Sequence, residues 1–415
     1  MKASLFRKDF TLVVIGQIIS LFGNAILRFA LPLYLLRETG SAAIFGIVSA
    51  CSFLPMIVLS FLGGVLADRV NKRNIMVCLD FATAVLILLL YVALGKAPLV
   101  PLFILVLMLL YGISGTYQPT VQASIPALVS QDQILSAGAV VNQIGSLAGL
   151  LGPTIGGILF GAFGLRPILV ISILCFLASA IMEIFIQIPY EKRPTQMGML
   201  AIIRSDFRDS AQYVRREKPV LLEIMGIVAL FNLVLTAMLI VGMPVLIVDT
   251  LQLRDELLGF AQGALALGGL CGGILTAVLG KKLNLKGAYK LLLLCSLAVG
   301  TMAAPLVLDA SSLTSYRIIT VAGFVIMGLC TMFSVQMLAA VQTETPPALV
   351  GKVIALVISI SLCAHPIGQA LYGVVFDLFA ENTGEVLLIV AFLSLVISLN
   401  SRKTFSRVVD APQTN

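Results

Sequence analysis

The chain has 415 residues, of which 59% are hydrophobic and 11% charged. Its mean hydropathy is +1.07, and a soluble domain carries about 25% charged residues, so a water-facing surface of this size is excluded. A formal charge of +7 would suggest a nucleic-acid partner in a soluble protein, but here the placement of the basic residues explains it.

Apolar runs long enough to cross a bilayer, at about 20 residues each, fall at 10–36, 42–66, 74–94, 98–118, 137–163, 167–188, 219–248, 257–280, 287–308, 316–338, 351–379 and 386–400. The first run exceeds the short apolar core of a signal peptide, so it reads as a retained span. Twelve spans place both termini on one side. Of the 27 lysines and arginines, 21 fall in segments on the side of the termini, five fall on the opposite side, and Arg28 lies within a span. Positive charge accumulates on the cytoplasmic side, so a multi-pass cell-membrane protein with both termini cytoplasmic is expected, without nucleic acid as a partner. Membrane lipid surrounds it.

The long polar break from Pro189 to Lys218 separates six spans from six. Residues 1–190 and 219–402 read as two six-helix bundles, 191–218 as a cytoplasmic linker and 403–415 as a cytoplasmic tail. Within the linker, Leu200, Ile203, Phe207, Ala211 and Val214 recur at steps of three and four between charged residues, the pattern of an amphipathic helix. The halves repeat: the run Val121–Val129 is echoed by Val341–Val350, and Gly152-Pro153 and His365-Pro366 occupy matching places in spans five and eleven. The fold class is therefore an all-α membrane protein of two pseudo-symmetric bundles, an arrangement suited to alternating access.

Several chemistries are missing. The single histidine excludes a His-x-x-x-His metal motif, and neither Gly95-Lys96 nor Gly351-Lys352 continues as a phosphate-binding loop. No Gly-x-Ser-x-Gly elbow occurs. No catalytic, metal or cofactor-binding residue is assigned, and no cofactor is expected. The seven cysteines lie inside apolar runs without a Cys-x-x-Cys pair and read as small buried hydrophobes.

Two runs carry a family resemblance. Gly64, Asp68, Arg69 and Arg73, between spans two and three, are spaced as in the loop signature of the major facilitator superfamily, with Asn71 where a glycine is usual. Asn71 is expected at a tight turn that favours positive φ. Gly149, Gly152, Pro153, Gly156 and Gly157 in span five resemble the antiporter signature of the same superfamily; close packing by small residues is the plainer alternative. The chain is similar over most of its length to the drug:proton antiporter branch that contains macrolide-efflux and siderophore exporters, on the runs Ser20–Asn24, Ala30–Pro32, Thr39–Ser41 and Phe207–Pro219. It departs at Asn24, where the branch often has a carboxylate, and at Tyr111-Gly112, where many proton antiporters carry an arginine. The resemblance implies a monomeric secondary transporter that exports amphipathic molecules against protons, with uptake of a nutrient or lipid, or siderophore export, as alternatives. It makes the loop run a cytoplasmic gate.

Polar residues inside the spans supply the remaining candidates. Gln17, Asn24 and Arg28 share one face of span one and are candidate substrate-cavity residues; recognition, proton coupling, an outer ion pair and snorkelling are all open for Arg28. Asp80 lies seven residues after Arg73, which suggests a local salt bridge or a proton-coupling role. Glu183 and Glu223, near the linker, are expected to be solvated. His365 could switch with pH or simply pack. Gln118 and Gln122 in span four, with Asn142 and Ser146 in span five, are candidate substrate contacts.

Overall fold

A computed structural model describes residues 5–188, 208, 212–216, 218–279, 285–346 and 349–410, apart from the side chains of 61, 62, 64, 65, 67–69, 285 and 408–410. Twelve helices among the described residues are long and apolar enough to cross a membrane. They are α1 (Lys8–Thr39), α2 (Ala42–Arg69), α3 (Lys72–Ala93), α4 (Leu99–Leu128), α5 (Ile134–Phe163), α6 (Leu165–Ile184), α7 (Pro219–Thr250), α8 (Asp255–Leu279), α9 (Ala288–Val307), α10 (Ser312–Glu344), α11 (Val350–Leu378) and α12 (Thr383–Asp410).

Local chemistry sets several helix ends. Gly40, at φ 58°, closes α1 by donating its N–H to the Leu36 carbonyl, a left-handed position that costs glycine nothing. Ser311 caps α10 by accepting from the Thr314 N–H. Asn71 does not take the expected positive φ. At φ −58° its side chain accepts from the Arg73 N–H and caps α3, so a short polar side chain is needed there for its acceptor.

The chain divides into two compact units. The first comprises residues 1–40, 47–196 and 255–260, and the second 41–46, 197–254 and 261–415. In the first, α1 packs on α4, α5 and α6, and α3 packs on α4 and α6. Its core includes Phe10, Val13, Met76, Tyr117, Val121 and Val141. In the second, α7 packs on α10, α11 and α12, and α9 packs on α10 and α12. Each pairing in one unit thus has its counterpart six helices later, the structural form of the repeat in the sequence.

Two expectations need amendment, and a third lies mostly outside the described residues. The twelfth helix runs on to Asp410 rather than ending near 400. Phe405 is fully buried there, and Thr404 and Arg407 both bond Glu223 at the start of α7. Burial of Phe405 and a partner for Arg407 hold these turns helical. Not all cysteines are buried: Cys78, Cys271 and Cys363 are exposed, while Cys295 and Cys330 are buried. Apolar context does not imply burial when a helix can turn an apolar side chain outward into lipid. Most of the amphipathic linker, including Leu200, Ile203, Phe207 and Ala211, lies outside the described residues; in its helical stretch 212–216, Tyr213 and Val214 are buried and Arg215 and Arg216 exposed.

Candidate transport site in the first helical unit

Polar groups line one side of α1 at helical spacing: Gln17, Ser20, Asn24 and Arg28. Small residues between them admit the neighbouring helices. A side chain at Gly16 would lie 3.3 Å from Glu183 Oε1 and 3.4 Å from Ser179 Oγ, and one at Gly23 would press on the Phe176 ring. α6 therefore approaches α1 closely and brings its own polar groups with it.

Asp80 and Glu183 enter this interior from α3 and α6. They are 2% and 1% exposed. Ser20 Oγ donates to Asp80 Oδ2 at 2.7 Å and lies 3.0 Å from Ser179 Oγ. Ser179 Oγ also donates to the Gly16 carbonyl at 3.4 Å, so the two hydroxyls share their protons among Asp80, Gly16 and each other. Tyr117 of α4 donates to Glu183 Oε1 at 2.6 Å. Among the described residues, Glu183 Oε2 has no partner and neither amide atom of the fully buried Gln17 has one. Asn24 donates from its amide to the Ser20 carbonyl at 3.0 Å.

Two expectations are corrected here. Glu183 is not solvated: although it lies one residue before the end of α6, its side of the helix faces Gly16 and Tyr117, and facing outweighs nearness to the linker. Asp80 is not bridged to Arg73; it is held by Ser20, and Arg73 Nε has no acceptor among the described residues. Seven residues span two helical turns, about 10 Å along the axis, so sharing a face did not bring the two side chains together.

Farther along α1, Arg28 meets α2 and α4. Its guanidinium carbon lies 3.6 Å from the centre of the Tyr111 ring, and Nη2 lies 3.3 Å from Met56 Sδ. Phe53 stands against the other part of the same cluster, its ring 5.3 Å from that of Tyr111. Met56 and Tyr111 sit near the middle of their helices, so the charge has not snorkelled to an end. A basic side chain at this depth costs about 2.5–3.5 kcal/mol on insertion scales, and an aromatic face offsets part of that. Close packing fixes the geometry: a side chain at Gly115 would strike the Met56 backbone, and one at Gly112 would strike Leu59.

The glycines of α5 fix the opposite side of α1. A side chain at Gly152 would overlap Ala25, and one at Gly156 would crowd Phe29 and Ile26, whereas Gly149 faces open space. Gly157 faces the backbone of Gly259 in the part of α8 that belongs to this unit, and Thr154 donates to the Gly259 carbonyl at 3.1 Å. Pro153 sits inside this helix. Of the neutral candidates, Gln122 donates to Asn142 Oδ1 at 3.1 Å, and Ser146 bonds the Asn142 carbonyl at 3.1 Å, so α4 and α5 bring these three together near the half-buried Gln118. His365 lies in the second unit, half-buried on α11 before Pro366. The side chains of Gly64, Asp68 and Arg69 lie outside the described residues.

Sequence reasoning missed Ser20, Tyr117 and Ser179, as well as Phe53, Met56 and Tyr111 around Arg28. Ser20 was in reach, since it shares the polar face between Gln17 and Asn24. The others come from distant helices and leave no local signal.

Compared with known families, residues 13–399 match the model of the Major Facilitator Superfamily. The chain belongs to the Major Facilitator Superfamily. As a member it is a multi-pass membrane transporter and not an enzyme, with small molecules as cargo. It is 28% identical over 393 residues to macrolide efflux protein A of Streptococcus pyogenes, covering 92% of each chain. It is 22% identical over 392 residues to the multidrug efflux pump Tap of Mycolicibacterium fortuitum, covering 89% of this chain and 90% of that one. Among solved structures it resembles the nucleoside transporter NupG, with TM-score 0.75, 12% identity and 98% and 100% coverage. It also resembles a D-xylose-proton symporter, with TM-score 0.70, 12% identity and 94% and 96% coverage. At these identities the structures bear on the fold alone.

Proposed function

We propose that this transporter exports hydrophobic or amphipathic small molecules from the cell by alternating access, driven by proton entry. The observation that carries the reading is the near full-length similarity to macrolide and multidrug efflux proteins. Uptake is the rival. The Gly-Pro seam of α5, in the pattern the family associates with antiport, favours export. The cell membrane is the site of action, with both termini cytoplasmic on the bias of lysine and arginine, and the working unit is a monomer.

Asp80 is the carrier of the coupling proton in this reading, with His365 and Arg28 as the other coupling candidates. Carboxyl and hydroxyl groups both give and take protons, so Ser20 and Ser179 supply relay partners beside Asp80. Substrate is held by Arg28, Gln118, Gln122, Asn142 and Ser146, while Gln17 and Asn24 shape the polar face of α1. Gly64, Asp68, Arg69 and Arg73 form a cytoplasmic gate, whose closing favours the outward-open state. The test is a substrate screen in cells lacking their own efflux pumps, comparing dye and macrolide accumulation with and without a protonophore. Accumulation unchanged by expression for every compound would favour uptake.

A further inference from the structure

Arg28 carries a full positive charge at mid-span, and its partners are a thioether and a ring face. Nη2 points at Met56 Sδ, the guanidinium lies on Tyr111, and Nε is sealed from solvent without an acceptor among the described residues. Neither Met nor Tyr faces neutralise a cation, and among the described residues Arg28 forms no ion pair. Asn24, one turn earlier on the same face, presents an Oδ1 that is also without a partner; it is neutral and does not pair the charge.

The surroundings are built rather than loose. α5 pins α1 through Ala25, Ile26 and Phe29 against Gly152 and Gly156, which leaves Arg28 on the side toward α2 and α4. Phe53, Met56 and Tyr111 are each half-buried, as is Arg28, so the cluster keeps open surface. It joins a fixed guanidinium, able to give paired hydrogen bonds to an oxyanion, to an apolar aromatic and thioether wall.

We propose that this cluster is the recognition site for an organic anion: a carboxylate, sulfonate or similar oxyanion on a planar apolar body. The oxyanion takes guanidinium N–H groups in place of the thioether at Met56, and the planar body lies against the edge of the Phe53–Tyr111 pair. The proposal rests on the efflux reading for its biological direction, but not for the binding itself. It assigns the ligand of this cluster a negative charge, because the fixed cation of Arg28 attracts an anion and repels a second cation.

Three naphthalene probes of one scaffold, bearing a sulfonate, an uncharged sulfonamide or a trimethylammonium group, test it by equilibrium binding to the full-length protein in neutral detergent. The chain has no tryptophan, so probe fluorescence is read without indole background. The sulfonate is expected to bind at least tenfold more tightly than the trimethylammonium. Arg28→Gln is expected to weaken the sulfonate at least tenfold and the sulfonamide less than threefold. Arg28→Lys keeps part of the preference. A wild type that holds the cation as tightly as the sulfonate overturns the proposal, and this outcome can be read even if Arg28→Gln does not fold. So does an Arg28→Gln variant that binds sulfonate like wild type. Export assays with the same probes separate the two readings: export of the cation in preference to the anion leaves efflux standing and sinks anion recognition. Export of none of the three, with sulfonate binding intact, sinks efflux alone.

Discussion

The guanidinium carbon of Arg28 lies 3.6 Å from the centre of the Tyr111 ring, so a cation of α1 rests on an aromatic face of α4. A half-buried cation–π contact falls between the roughly 0.5–1 kcal/mol of an exposed pair and the roughly 2 kcal/mol of a desolvated one. Tyr111→Phe keeps the ring and should melt in detergent near wild type, whereas Tyr111→Leu should melt clearly lower. Equal melting of the two variants would mean that the ring face contributes nothing.

Tyr117 and Glu183 form a second cross-helix pair, buried between α4 and α6. Removing one partner of a buried hydrogen bond costs about 1–3 kcal/mol, while replacing both with apolar groups can be nearly neutral. Tyr117→Phe should therefore lower the melting midpoint, and adding Glu183→Met should recover most of the loss. Additive losses in the double variant would show that the pair is not coupled.

Asp80 is held by Ser20 rather than Arg73, which separates two explanations of its role. Asp80→Asn should keep substrate binding and passive exchange in proteoliposomes but lose uphill, gradient-driven movement. The charge-swapped Asp80→Arg, Arg73→Asp pair should recover nothing, since no bridge exists to restore. Recovery of activity in that swap would argue for a structural ion pair instead.

Gly149 and Gly152 stand in the same run of α5 but differ in what they touch. Gly152 lies against Ala25, and Gly149 faces open space. Gly149→Ala should express, melt and transport like wild type, and Gly152→Ala should lose stability and activity together. Comparable damage from both would mean that the run serves something other than helix packing in this state.

The twelve spans were legible because a bilayer makes a long apolar run nearly unambiguous, and the repeated pairing of helices followed from the echo between Val121–Val129 and Val341–Val350. The packing role of Gly152 and Gly156 was legible too, since small residues at helical spacing have few other uses. Contacts between distant helices were not. Glu183 looked solvated because its distance from the linker is readable and its facing toward Tyr117 is not. Asn71 was read as a flexible turn residue, although the same short amide also caps helices, and only the geometry at Arg73 distinguishes the two. Asp80 and Arg73 share a face but not a reach.

The central claim is proton-driven export, and drug accumulation tests it most directly. In cells stripped of their own pumps, expression of this chain should lower the steady-state accumulation of at least one macrolide or amphipathic dye. A protonophore should return that accumulation to the level of cells without the protein, and Asp80→Asn should do the same without the protonophore. Accumulation that rises on expression, or that stays lowered when the proton gradient is collapsed, would contradict the account.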